Sequence, residues 1–239
     1  GIFSLMRTTY FLFGPVSVAL LGASNYLLPI IVLTIVMGSL MALHQDNLKK
    51  RLAYSTISQL GYIILGIALL NQDAFIGALL HLINHAVIKI TLFFVAGAIY
   101  YQTGFKYVHQ LDGIGKRMKV TMICFGLSVI SLIGIPPTNG FVSKWYLALG
   151  ALKAHNVLYA VALLLSAFLT AAYLLPIAVQ AFFSKNETPE LDAIGEGKSL
   201  DPSDTMLIPI FLLTAIVILL GILPNPIVSI VTRIAEEVF

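Results

Sequence analysis

Seven apolar stretches follow one another along the chain, at 2–22, 26–43, 52–70, 75–101, 120–152, 156–183 and 206–223. Each comes close to or exceeds the roughly 20 residues that a helix needs to cross a hydrocarbon core about 30 Å thick. No other feature constrains the fold as tightly. A backbone in lipid must satisfy its own hydrogen bonds, and a helix does so within one segment. The polar–apolar alternation of a transmembrane β-barrel does not occur. Only 10% of the 239 residues are charged, against roughly 25% in soluble domains. The links are short, so the expectation is an all-α polytopic membrane protein, a single bundle over 1–223 with about seven transmembrane helices. Arg7 ahead of an apolar run could suggest a signal peptide. Six more spans follow and no small-residue cleavage site is evident, so 2–22 reads as a retained helix. The lone Cys124 leaves disulfides out of the design. No Lys/Arg cluster interleaved with aromatics points to a nucleic acid partner.

Charge gives the topology. Cytoplasmic loops of membrane proteins are enriched in Lys and Arg. Alternating the spans places ten of the fourteen basic residues on one side: Arg7, Lys49, Lys50, Arg51, Lys106, Lys116, Arg117, Lys119, Lys185 and Lys198. Lys153 and Arg233 fall on the other. The richer side is expected in the cytoplasm, which puts the C-terminus outside a cell (inner) membrane. Residues 184–203 carry five acids and Pro189 and Pro202, and read as a solvated cytoplasmic linker. Residues 224–239 place Ile227, Ile230, Val231, Ile234 and Val238 on one helical face, the pattern of an amphipathic helix on a membrane surface or a partner, or of an ordinary surface helix.

Two lysines remain, and both lie within apolar spans. An ionised lysine at mid-bilayer costs roughly 2.5–3.5 kcal/mol, and residues of this kind mark ion or proton paths. Lys89 sits about halfway along 75–101, too deep for its amine to reach the interface by snorkelling. His81, His85 and Lys89 follow at i, i+4 steps, about 40° apart around the helix and about 6 Å apart along it. Three titratable nitrogens on one stripe suit a proton passing stepwise. A zinc site is the competing reading of His at i, i+4, but no third ligand lies near in sequence, so no metal is expected. One span earlier, Ser55, Ser58, Gln59 and Tyr62 form a polar stripe that either glues helices together or lines a water path.

The stretch GIPPTNGFVSKWYL then interrupts the fifth span. Pro136 and Pro137 remove backbone donors, Gly134 and Gly140 permit unwinding, and Thr138 and Asn139 can satisfy freed carbonyls. Unwound backbone at membrane depth is tolerated where it lines a cavity, as in the discontinuous helices of transporters. The predicted break covers 134–141. It leaves Lys144 in the first turn of the second half-helix, beside Ser143, near the positive dipole end and turned toward the Lys89 stripe.

In that order, KKRLAYSTISQLGYIILG, HLINHAVIKITLFFVAG and GIPPTNGFVSKWYL resemble the antiporter-like membrane subunits of respiratory complex I, of Mrp cation/proton antiporters and of membrane-bound hydrogenases. The form GFVSKW is nearer to the Mrp and hydrogenase branch. The resemblance implies a fold with two inverted five-helix repeats, each with a broken helix. This chain corresponds to the second repeat, over 26–183, with 2–22 before it and 206–223 after it. It also implies that Lys144 is the broken-helix lysine, Lys89 the central-axis lysine with His81 and His85 as companions, and Lys49 the lysine at the connection between repeats. Asn47 stands where an acid often precedes that lysine. The first repeat is not in this sequence, and no acid lies within a span, so another membrane subunit or an upstream segment is expected to supply it beside Arg7. The implied function is translocation of protons, or sodium ions, coupled to redox chemistry in partner subunits of an oxidoreductase complex. A gradient-driven antiporter without redox coupling and a non-conducting scaffold are the alternatives. No flavin, haem or iron–sulfur motif occurs, so neither bond chemistry nor a cofactor is expected in this chain.

Overall fold

In the computed structural model, residues 1–184, 191 and 199–239 are described. Among these residues helices dominate and no strand forms, apart from one isolated bridge between Asn47 and Tyr107. In chain order the helices are α1 (Ile2–Arg7), a π-helical turn (Thr8–Phe13), α2 (Pro15–Leu20), α3 (Ala23–Leu43), α4 (Leu48–Ala68), α5 (Gln72–Thr103), two 3₁₀ turns (Val108–Leu111 and Ile114–Lys116), α6 (Lys119–Ile133), α7 (Asn139–Lys153), α8 (Val157–Phe183), α9 (Asp204–Ile222) and α10 (Asn225–Glu236).

Local chemistry sets several of these boundaries. Asn47, Asn71 and Asn156 cap α4, α5 and α8, their side chains accepting from the amides of Lys50, Ala74 and Leu158; each satisfies a donor that the helix start leaves free. Gly104, at φ 75°, closes α5. Among the described residues four helical segments are long and apolar enough to cross a membrane: Ser24–Leu43, Gln72–Thr103, Val157–Phe183 and Asp204–Ile222. α4 has 21 residues but opens with Lys49, Lys50 and Arg51 and carries the Ser/Gln stripe.

Three expectations need correction. Residues 2–22 are not one helix. Gly14, at φ 78° and ψ 149°, breaks the run just before Pro15, and a proline ring and its missing N–H forbid continuation of the helix behind it. The segment 184–203 is not a free linker in its described part. Leu191 is fully buried, Leu200 donates to Arg117 O at 2.9 Å, and the Asp201 carboxylate caps α6 through the amides of Val120 and Thr121. Its other acids fall on residues 185–190 and 192–198, outside the described residues. In α10, Val231 and Ala235 are buried and the helix packs against α5, while Ile230 faces outward at 58% exposure. The apolar face is therefore rotated slightly from the one expected.

α5 is the axis of the bundle, packed on α4, α6, α7, α9 and α10. Its buried apolar residues belong to two separate clusters. One holds Ala74–Leu80 with Tyr62–Ile67 of α4 and Leu147 of α7. The other holds Ile88–Ile99 with Leu48 and Leu52 of α4 and Leu132 of α6. Between them lies a layer of buried polar residues: Ser39 on α3, Ser55, Ser58 and Gln59 on α4, His81, Asn84 and His85 on α5, Asn139 and Ser143 on α7, and Ser166 and Thr170 on α8.

Candidate functional site

Of the site residues expected from sequence, the polar layer holds Ser55, Ser58, Gln59, His81, His85, Asn139 and Ser143, and Lys89 lies one turn beyond His85. α5 places His81, His85 and Lys89 on one face, at 2%, 6% and 6% exposure. The two imidazoles stack at 6.0 Å between ring centroids. Lys89 Nζ donates to Leu52 O at 2.9 Å and to Ser55 Oγ, both on α4. His85 Nε2 has no hydrogen-bond partner among the described protein groups.

Each residue of the α4 stripe has a defined partner. Ser55 meets Lys89. Gln59 Oε1 meets His81 Nε2 at 3.1 Å. Tyr62 stacks on His81 at 5.4 Å. Ser58 turns the other way, into a ring of three serine hydroxyls with Ser39 and Ser166, each pair 2.8–2.9 Å apart. Three residues of the stripe thus touch the His–Lys set, and the fourth ties α4 to α3 and α8.

His81 is satisfied in either protonation state. As Gln59 is oriented, its oxygen faces the ring, so Nε2 carries a proton. Nδ1 lies 2.9 Å from Ser143 Oγ, and that hydroxyl also lies 3.2 Å from Gly140 O. With neutral His81, Ser143 donates to Nδ1. With charged His81, Nδ1 donates to Ser143, which turns its own proton to Gly140. A hydroxyl rotation is the only rearrangement required.

The break is shorter than predicted. α6 ends at Ile133 and α7 begins at Asn139, so Asn139 and Gly140 are helical rather than unwound. Thr138, in extended backbone, starts α7, and its Oγ1 donates to Ile135 O at 2.7 Å. Gly134 has φ 92°, open to glycine without strain. At Gly140 a Cβ would run into the Ser131 carbonyl oxygen, so only glycine lets the half-helices meet there. Asn139 does not serve freed carbonyls. Its side chain pairs with Asn84 of α5 and accepts from Ser131 of α6, and its carbonyl accepts from Asn84 at 2.8 Å.

Lys144 stands in the second turn of α7, not the first. Its amine reaches back across the break to Leu132 O at 2.7 Å and Ile133 O at 2.9 Å. These are last-turn carbonyls of α6 whose i+4 residues, Pro136 and Pro137, have no N–H to give. The amine therefore sits at the negative dipole end of α6 rather than the positive end of α7. It also lies 5.1 Å from the Tyr62 ring centroid, and Tyr62 stacks on His81, so it faces the α5 stripe through one aromatic ring. Lys49 is not brought in: it is exposed at the start of α4, over Tyr100. Among the described residues no group of three or more His, Cys, Asp or Glu could hold a metal ion.

Sequence reasoning missed Asn84, Ser131 and the serine ring. Asn84 had a signal, as an amide deep in an apolar span, but it lies one residue off the histidine stripe.

Residues 1–170 match the family described as NADH:quinone oxidoreductase/Mrp antiporter, TM. NADH-quinone oxidoreductase subunit N of Desulforudis audaxviator is 40% identical over 84% of this chain and 41% of its own length. A Na(+)/H(+) antiporter subunit of Alkalihalophilus pseudofirmus is 32% identical over 100% of this chain and 46% of its own length. Among solved structures, a chain of the membrane-bound sulfane sulfur reductase, an archaeal respiratory membrane complex, superposes with a TM-score of 0.83 and 27% identity, over 99% of this chain and 46% of that one. The chain spans less than half the length of each of these relatives. With its apolar helices, broken helix and matched segment, this chain belongs to the NADH:quinone oxidoreductase/Mrp antiporter membrane family.

Proposed function

We propose that this chain is an ion-translocating module of a multi-subunit membrane complex, and that it moves protons along its polar layer by way of Lys144, His81, His85 and Lys89. The observation that carries the reading is the layer itself. Helices α3, α4, α5, α7 and α8 present polar groups at one level between two apolar clusters. Polar groups at membrane depth are costly and mark ion paths. Lys144 and His81 pack against the same Tyr62 ring, His85 stacks on His81, and Lys89 follows one helical turn on.

Redox chemistry in partner subunits supplies the drive. The relatedness to a quinone oxidoreductase subunit and to a chain of a respiratory complex supports this. A second reading, exchange driven by a sodium gradient, is favoured by the match to the Na(+)/H(+) antiporter over the whole chain, and it uses the same residues. A neighbouring polypeptide, or more of the same one, completes the path beside Arg7.

The decisive variant is Lys89→Ala in the assembled complex, reconstituted into vesicles and followed with a pH-sensitive dye. Proton uptake is expected to collapse while subunit composition is retained. Normal uptake would remove Lys89 from the path, and failure to assemble would make its role structural.

A further inference from the structure

Where α4 begins and α5 ends, a pocket of about 260 Å³ has Asn47, Lys49, Ala96, Tyr100, Phe105 and Lys106 among its walls. Both amines approach one ring: Lys49 Nζ lies 4.5 Å and Lys106 Nζ 5.4 Å from the Tyr100 centroid. Neither pairs with an acid among the described residues. The ring attracts each cation but does not cancel their mutual repulsion, and both amines are exposed, open to an anion.

The two lysines are held together by backbone. Leu48 N donates to Lys106 O at 2.9 Å and Val108 N to Asp46 O at 2.8 Å. Gln110 Oε1 accepts from the amides of Lys106 and Tyr107. The loop before α4 and the loop after α5 are thereby stitched into one unit.

The surroundings choose the anion. Ala96 and Phe105 form an apolar floor continuous with the core. Tyr100 and Tyr101 are exposed at a helix end, where aromatic rings mark the membrane–water boundary. Phe93, seven residues before Tyr100 and on the same helical face, is exposed as well. A free anion gains nothing from an apolar floor and an apolar helix face, whereas a lipid uses both.

We propose that this pocket seats the headgroup phosphate of an anionic phospholipid, with its acyl chains along the exposed face of α5. Basic pockets between transmembrane helices bind such headgroups. The proposal gives Lys49 a lipid partner outside the buried layer and does not depend on proton translocation.

The test is native mass spectrometry of the complete assembly in mild detergent, titrated with phosphatidylglycerol and, separately, phosphatidylcholine. The Lys49→Gln/Lys106→Gln pair is expected to weaken phosphatidylglycerol binding by about 30-fold, about fivefold per lysine, with phosphatidylcholine unchanged. Lys116→Gln/Lys119→Gln, exposed at the same end, should leave it as it was. If the double variant does not assemble, Lys106→Gln alone should show the fivefold loss. Unchanged binding, or equal loss in the control pair, overturns the proposal. Full displacement by inorganic phosphate would overturn the lipid and leave a free-anion site.

Discussion

Lys144 bridges two half-helices with its amine, and substitution can separate the two roles this gives it. As a donor it satisfies Leu132 O and Ile133 O, which no backbone amide reaches. As a proton carrier it must be able to let a proton go. Arginine retains the donors and the charge but is effectively never deprotonated. Lys144→Arg is therefore expected to keep the break intact, with a thermal midpoint close to that of the parent complex, while proton flux in vesicles falls by about a hundredfold. Lys144→Ala loses both roles and should show the same fall in flux together with a lower midpoint. Full flux in the arginine variant would mean that a fixed charge suffices there. Lys89 offers no such separation, since its acceptors, Leu52 O and Ser55 Oγ, belong to a helix whose own ladder continues.

At the scale of the element, the α6–α7 pair is held by a clamp rather than by a flexible hinge. Asn139, Ser131 and Asn84 tie the start of α7 to α6 and α5 at once, and Gly140 allows the approach. Gly140→Ala forces a methyl into the Ser131 carbonyl, a backbone collision that a side-chain shift cannot relieve. Overpacking of this kind costs about 1–3 kcal/mol. The variant is expected to unfold at a clearly lower temperature than Val142→Ala, which trims a half-buried side chain nearby on α7; equal midpoints would show that the half-helices do not need this contact. The break was legible in the sequence because prolines and glycines punctuate a helix wherever they occur. The i, i+4 spacing of His81, His85 and Lys89 was legible for the same local reason. The partner of the Lys144 amine was not, because it depends on how the chain folds back after Pro137. The serine ring was not either, since three helices each contribute one ordinary serine. Gly14–Pro15 carries the same local signal of a break, inside an apolar run long enough to read as one span.

For the whole molecule, the asymmetry of charge predicts which way the bundle faces. The end that carries Lys49, Lys50, Lys106, Lys116 and Lys119 is expected in the cytoplasm and α10 outside. A cysteine introduced at exposed Lys116 should react only with a membrane-permeant thiol reagent in intact cells, and one at Ser229 with an impermeant reagent too; the reverse pattern would invert the orientation. The His–Lys stripe has a consequence for energetics. Moving one elementary charge through the full membrane field is worth about 2.3 kcal/mol per 100 mV, and the field acts along the membrane normal. His81, His85 and Lys89 climb α5, a helix long enough to cross the membrane, in steps of about 6 Å. A proton passing from His81 to Lys89 therefore moves about 12 Å along a hydrocarbon core about 30 Å thick, and crosses roughly 40% of the voltage. Each step on the stripe is then electrogenic, worth on the order of 0.5 kcal/mol per 100 mV, so the membrane potential bears on where along α5 the proton rests.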